Sequence, residues 1–136
     1  MSTARKAPAK APKKPDIQLI ANAVITDGRG RVLLTRYDAD DEKRWWLPGT
    51  DRKPYEHPDE ALRRALDGLL TTFTATALNH VESFRGRRGW HVMFNHRVKA
   101  TAKAATEQGQ WFAADALPPM AHGRWELGVI AKVLGT

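Results

Sequence analysis

Cysteine is absent from the 136 residues. That excludes disulfides and thiolate metal centres, and it fits a reducing, cytoplasmic setting. Long apolar runs are missing as well. The longest, residues 17–25, is interrupted by Gln18 and Asn22 and is too short to span a bilayer, so no membrane role is expected. No small-residue cleavage pattern follows the basic start, which argues against a secretory signal. Acid is missing from one stretch in particular. Residues 1–15 contain Arg5, Lys6, Lys10, Lys13 and Lys14 with no Asp or Glu, and hold +5 of the net charge of +7. The remaining chain, at +2, is nearly balanced.

What is present divides in two. Residues 1–15, rich in Ala, Lys and Pro, have almost nothing to bury and are expected to be a disordered basic tail. Such a tail serves as a solubilising segment or as a weak electrostatic contact to nucleic acid. Residues 16–136 have a globular composition and the length of one compact domain.

Within that domain, β-branched residues over 17–26, a turn at Asp27-Gly28-Arg29-Gly30 and a second apolar run over 31–37 predict a β-hairpin. Residues 58–70 predict a helix. Ala61/Leu62, Ala65/Leu66 and Leu69/Leu70 recur four apart as one apolar stripe, and Pro58 with Asp59 and Glu60 suits a helix start. Glu60 with Arg64, and Arg63 with Asp67, are spaced for i,i+4 pairs. Strands follow over 75–84 and 90–100, joined by a basic turn at 85–89, then a short strand over 110–113 and a closing helix over 124–134. This order implies an α/β domain with a mixed sheet covered by helices.

Several segments, in order, resemble the Nudix hydrolase family over nearly all of residues 17–135. They are Ala23-Val24-Ile25 with Gly30-Arg31-Val32-Leu33-Leu34, then Trp46-Leu47-Pro48-Gly49, then Gln110-Trp111-Phe112 and Asp115-Ala116-Leu117-Pro118. The resemblance implies an α/β/α sandwich and a motif G-x5-E-x7-R-E-U-x-E-E-x-G-U, in which U is a bulky aliphatic. In the family this motif holds divalent cations against the diphosphate of a nucleoside diphosphate derivative. Glutamates at i, i+3 and i+4 share one helix face, where they bind hard cations that neutralise phosphate charge and activate water.

Laid on this chain, Glu56 takes the place of the first Glu and Arg64 that of the Arg. The first Gly becomes Thr50, with Gly49 beside it, and the three helix glutamates become Ala65, Gly68 and Leu69. Asp67 lies in the stretch but is turned roughly 100° from either neighbour. Where the full motif offers several negative charges to its metals, Glu56 and Arg64 together sum to zero. Magnesium normally wants carboxylates together with substrate phosphates, so Mg or Mn binding is expected to be poor unless the ligand brings the metal. Ala65 and Leu69 complete the apolar stripe, as if packing had replaced metal binding.

Other candidates read two ways. Glu56 is a catalytic or metal-ligating acid, or a stabiliser of the helix start. Arg64 is a salt-bridge partner of Glu56 or Glu60, or a phosphate contact. Glu107, before Trp111, lies where some family members place an extra metal-directed acid; on its own it reads as a solvated loop residue. Arg85, Arg87 and Arg88 form the densest basic cluster of the domain, either a phosphate or nucleic-acid grip or a solvated hairpin tip. Trp90, with Tyr37 and Phe84, could stack a nucleobase, whereas Trp46 and Trp111 read as packing residues. His91 and His96 have opposite parity on one strand and should not share a metal.

Three functions follow. The first is a Nudix-fold protein with a degenerate motif that binds a nucleotide or diphosphate-containing ligand with little or no hydrolysis. The second is an active diphosphate hydrolase with a non-standard metal site that includes Glu56, Asp67 or Glu107. The third is a nucleic-acid-associated module using the tail and the Arg85–Arg88 turn.

Overall fold

The computed structural model describes residues 17–37, 44–87 and 89–135. The expected tail and Arg88 lie outside them.

The chain opens with β1 (Ile17–Thr26) and β2 (Arg31–Arg36), the expected hairpin. Asp27 builds the turn. Its Oδ1 accepts the N–H groups of Arg29 and Arg31 at 2.8 and 3.0 Å, and its Oδ2 meets Arg31 Nε at 2.7 Å. Two short strands follow that the sequence does not announce, β3 (Trp45–Trp46) and β4 (Gly49–Asp51). Then come α1 (Pro58–Asp67), β5 (Ala75–Gly86) and β6 (Gly89–Lys99). A 3-10 turn (Ala102–Ala104), β7 (Gly109–Ala113) and α2 (Arg124–Leu134) complete the fold.

All seven strands form one mixed sheet in the order β3-β2-β1-β6-β5, with β4 added to β1 and β7 to β2. β1 and β6 run parallel over ten residue pairs, from Ile17 opposite Trp90 to Thr26 opposite Lys99. Alternation along β1 and β2 divides the core. Ala21, Ala23, Ile25 and Leu33 pack with Ala61, Leu62 and Leu66 of α1. Val24, Val32 and Leu34 pack with Val129, Ile130 and Val133 of α2. One helix therefore lies on each face of the sheet, the expected α/β/α sandwich. Among the described residues no helix is long and apolar enough to cross a membrane.

Helix α1 differs from the expectation at its end. The apolar stripe predicted a helix to residue 70, but α1 stops at Asp67 with Gly68 as its cap. The N–H groups of both Leu69 and Leu70 turn back to the Leu66 carbonyl, at 3.0 and 2.9 Å. The loop after β6 then fastens the exit: Thr106 Oγ1 donates to the Gly68 carbonyl at 3.0 Å and Thr106 N to the Leu69 carbonyl at 2.9 Å. Leu69 is buried through this turn, not through the helix, whereas Ala65 stays only half-buried. The i,i+4 expectation also gives way. Glu60 accepts the His57 N–H at 2.9 Å as a cap, which leaves Arg64 to a different carboxylate, and Arg63 lies over the Phe73 ring. The basic turn between β5 and β6 is tighter than predicted, because Gly86 pairs with Gly89 and the strands run to the tip.

Candidate functional site

The loop between β4 and α1 is built on one ion pair. Arg64 Nη2 meets Glu56 Oε1 at 2.8 Å and Arg64 Nε meets Oε2 at 3.0 Å, a two-pronged geometry suited to a guanidinium and a carboxylate. Lys53 N–H adds a bond to Oε1 at 2.9 Å. The Arg64 hydrogen bond, followed by that of the Lys53 backbone, holds the Glu56 carboxyl well below its usual range, at about 2. Glu56 in turn raises the pKa of Arg64. The same guanidinium reaches β4, donating to the Asp51 carbonyl at 3.0 Å and to Thr50 Oγ1 at 3.4 Å. Between these anchors, Glu56 N–H closes a turn on the Lys53 carbonyl at 3.0 Å. Pro54 and Tyr55 are its central residues, and Tyr55 has φ 66, in a place where glycine is favoured.

On the α2 side of the sheet, β4 borders a cleft of about 950 Å³. Ile20 and Asn22 of β1 and His91 and Met93 of β6 share its floor, as their register requires. Gly49, Thr50 and Asp51 form one border, and Phe84, Gly86 and Arg87 of the β5–β6 hairpin form another. Tyr37, Trp46, His122 and Trp125 supply an aromatic wall. Tyr37 meets Trp46 edge-on with ring centres 4.5 Å apart, and Phe84 stacks on His91 at 5.1 Å. Gly49 must lack a side chain here, because a Cβ would collide with Asn22 Oδ1 and come within 2.6 Å of the Ala21 carbonyl oxygen.

Neither a protein-family model nor a curated protein matches this chain. Solved structures do. A MutT NUDIX hydrolase from Burkholderia pseudomallei shares 22% identity over 86% of this chain and 98% of its own, with a TM-score of 0.70. The NUDIX domain of Shewanella oneidensis NrtR, solved with ADP ribose, shares 20% identity over 95% of this chain and 92% of its own, at 0.73. The E. coli dihydroneopterin triphosphate pyrophosphohydrolase shares 12% over 87% and 96%, at 0.67. The chain has the Nudix fold.

The divalent cation that a Nudix hydrolase implies meets a poor donor set. Magnesium and calcium are held by oxygen ligands. Both Glu56 oxygens are engaged by Arg64, and the motif positions that follow carry the side chains of Ala65, Gly68 and Leu69. Among the described residues, no three of His, Asp and Glu gather where they could hold a metal. Among the described residues, the donors do not fit a protein-held divalent ion.

The Nudix scaffold brings some of the sequence candidates together and separates others. Glu56 and Arg64 are joined. Glu107 is exposed in the turn beside Gly68, at the opposite end of α1 from Glu56, and a ten-residue helix is about 15 Å long. Arg87, Phe84, Tyr37 and His91 line the cleft. Trp90 and Arg85 do not belong with them. They are cross-strand partners, and alternation turns them to the other sheet face from His91 and Phe84. His96, of opposite parity to His91, donates from Nδ1 to the Asn22 carbonyl at 3.2 Å.

No motif singles out Asn22, His122 or Trp125 as cleft residues, and Trp46, expected to pack, packs against Tyr37 while remaining exposed in the cleft. One signal was available. His122 and Glu126 stand four apart across the start of the closing helix, the spacing at which an imidazole and a carboxylate can pair.

Proposed function

We propose that this protein binds a nucleotide or another diphosphate-containing ligand in the cleft and hydrolyses it little or not at all. One observation carries the reading: the surviving motif acid is consumed by Arg64, and the three positions that should supply further carboxylates carry no side-chain oxygen. Glu56 and Arg64 then act as a clamp that shapes the loop and fixes Thr50 and Asp51 at the border of the cleft. Arg87 is the cation placed to meet phosphate charge, and Mg or Mn would arrive with the ligand's own phosphates. The ADP ribose held by the NrtR NUDIX domain supports a nucleotide-containing ligand on this fold. A chain without cysteine suits the cytoplasm for this role.

The test is a hydrolysis screen with magnesium and manganese across nucleoside triphosphates, nucleotide sugars, dinucleoside polyphosphates and ADP-ribose, with binding measured in parallel. Binding without turnover is expected. Turnover abolished by Glu56→Gln would overturn the reading in favour of a hydrolase with a non-standard metal site.

A further inference from the structure

One imidazole of the cleft is aimed by a buried carboxylate. Glu126, in the first turn of α2, has no exposed surface, and a charge is costly to bury without partners. Its partners are both in His122. The His122 backbone N–H lies 3.0 Å from Oε1 and 3.3 Å from Oε2, and the ring Nδ1 donates to Oε2 at 2.7 Å. The backbone bonds tie His122, the residue before the N-cap Gly123, to the first turn of α2. The ring bond is a separate matter, because any side chain at position 122 would leave the backbone bonds in place.

That ring bond fixes the imidazole. Nδ1 is committed to Glu126, so Nε2 sits on the far side of the ring, and a neutral imidazole held this way presents Nε2 as an acceptor. The His122 side chain is 48% exposed in the cleft, and no described residue bonds Nε2. Its surroundings are aromatic and held in place. Trp46 stacks on His122 with ring centres 6.2 Å apart at 29°, while Tyr37 and Trp125 meet it edge-on. Trp125 is anchored by its own Nε1–H to Glu82 at 3.1 Å. A planar heteroaromatic ring with an amino or imino edge answers this wall: its faces lie against indole and phenol rings, and its N–H meets Nε2. A bare diphosphate does not. The cleft's Arg87 lines it from the turn of the β5–β6 hairpin and is not one of the wall residues.

We infer that His122 reads the polar edge of a nucleobase at the aromatic end of the cleft, with Glu126 as the residue that positions it. The inference rests on the proposal that the cleft takes a nucleotide.

The test is calorimetric binding of four nucleosides, their diphosphates and inorganic pyrophosphate to the intact protein, to His122→Phe and to Glu126→Gln. Binding of the nucleosides is also followed through the His122 Nε2 resonance in ¹⁵N NMR. His122→Phe keeps an aromatic ring and removes the acceptor, so nucleoside and diphosphate should each bind about tenfold more weakly while pyrophosphate is unchanged. Glu126→Gln should follow the same pattern; if it fails to fold, His122→Phe decides. Equal affinity for His122→Phe and the parent, or an Nε2 resonance that does not move with nucleoside, overturns the inference. Pyrophosphate binding without nucleoside binding overturns it and leaves the diphosphate reading standing. Nucleoside binding that phosphate does not strengthen does the reverse, and binding of neither class overturns both.

Discussion

At the scale of single residues, Glu56 shows how far a sequence can be read. The missing acids at positions 65, 68 and 69 were legible at once, since absence needs no coordinates. What could not be read was the state of the acid that remained, because the choice of Arg64 between Glu56 and Glu60 is made by the bond that Glu60 accepts from the His57 N–H. The clamp has a pH signature. The Glu56 carboxyl is held at about 2 against an ordinary value of 4.5, so the stability it lends is fully present above 4.5 and is lost as pH falls through about 2. Glu56→Gln should therefore lower the melting temperature at pH 6 and narrow its gap to the parent as pH falls towards 2. Thermal melts of both proteins across that range check this, and a gap that does not close would show that the pair contributes nothing. The pair is partly open to water, so salt should weaken it.

At the scale of elements, the long regular pieces were readable and the short ones were not. α1 and the β5–β6 hairpin announce themselves through apolar spacing and turn residues. β3 and β4, of two and three residues, carry too little pattern, and they exist because β1 and β2 offer them edges to pair with. β4 depends on close approach, which puts one residue in charge of the whole border. Gly49→Ala would drive a methyl group against the Asn22 side chain and the Ala21 carbonyl, and should cost about 1–3 kcal/mol of stability. Urea denaturation measures it. A neutral result would mean that β4 shifts freely, and ligand binding would then be expected to fall while stability holds.

At the scale of the molecule, the fold was legible and the cleft was not. Order and spacing of landmarks suffice for a scaffold. A cleft needs Tyr37, Trp46, His122 and Trp125 on one wall, and residues spread over almost 90 positions leave no mark of convergence in a linear chain. Strand parity separates His91 from His96, and it separates Trp90 from His91 for the same reason. The charge of +5 in residues 1–15 is a whole-molecule property as well. Deleting that segment should weaken binding to DNA or RNA and flatten its dependence on salt; a titration at several salt concentrations that shows no change would rule the tail out as a nucleic-acid contact. Finally, the early stop of α1 limits what can be grafted onto it. A carboxylate placed at 69 would not join the helix face that carries position 65, because the coil ends at Asp67 and Leu69 fills the interior. A variant meant to present both would have to lengthen the helix by a turn and find another plug for the core, so it takes several simultaneous changes.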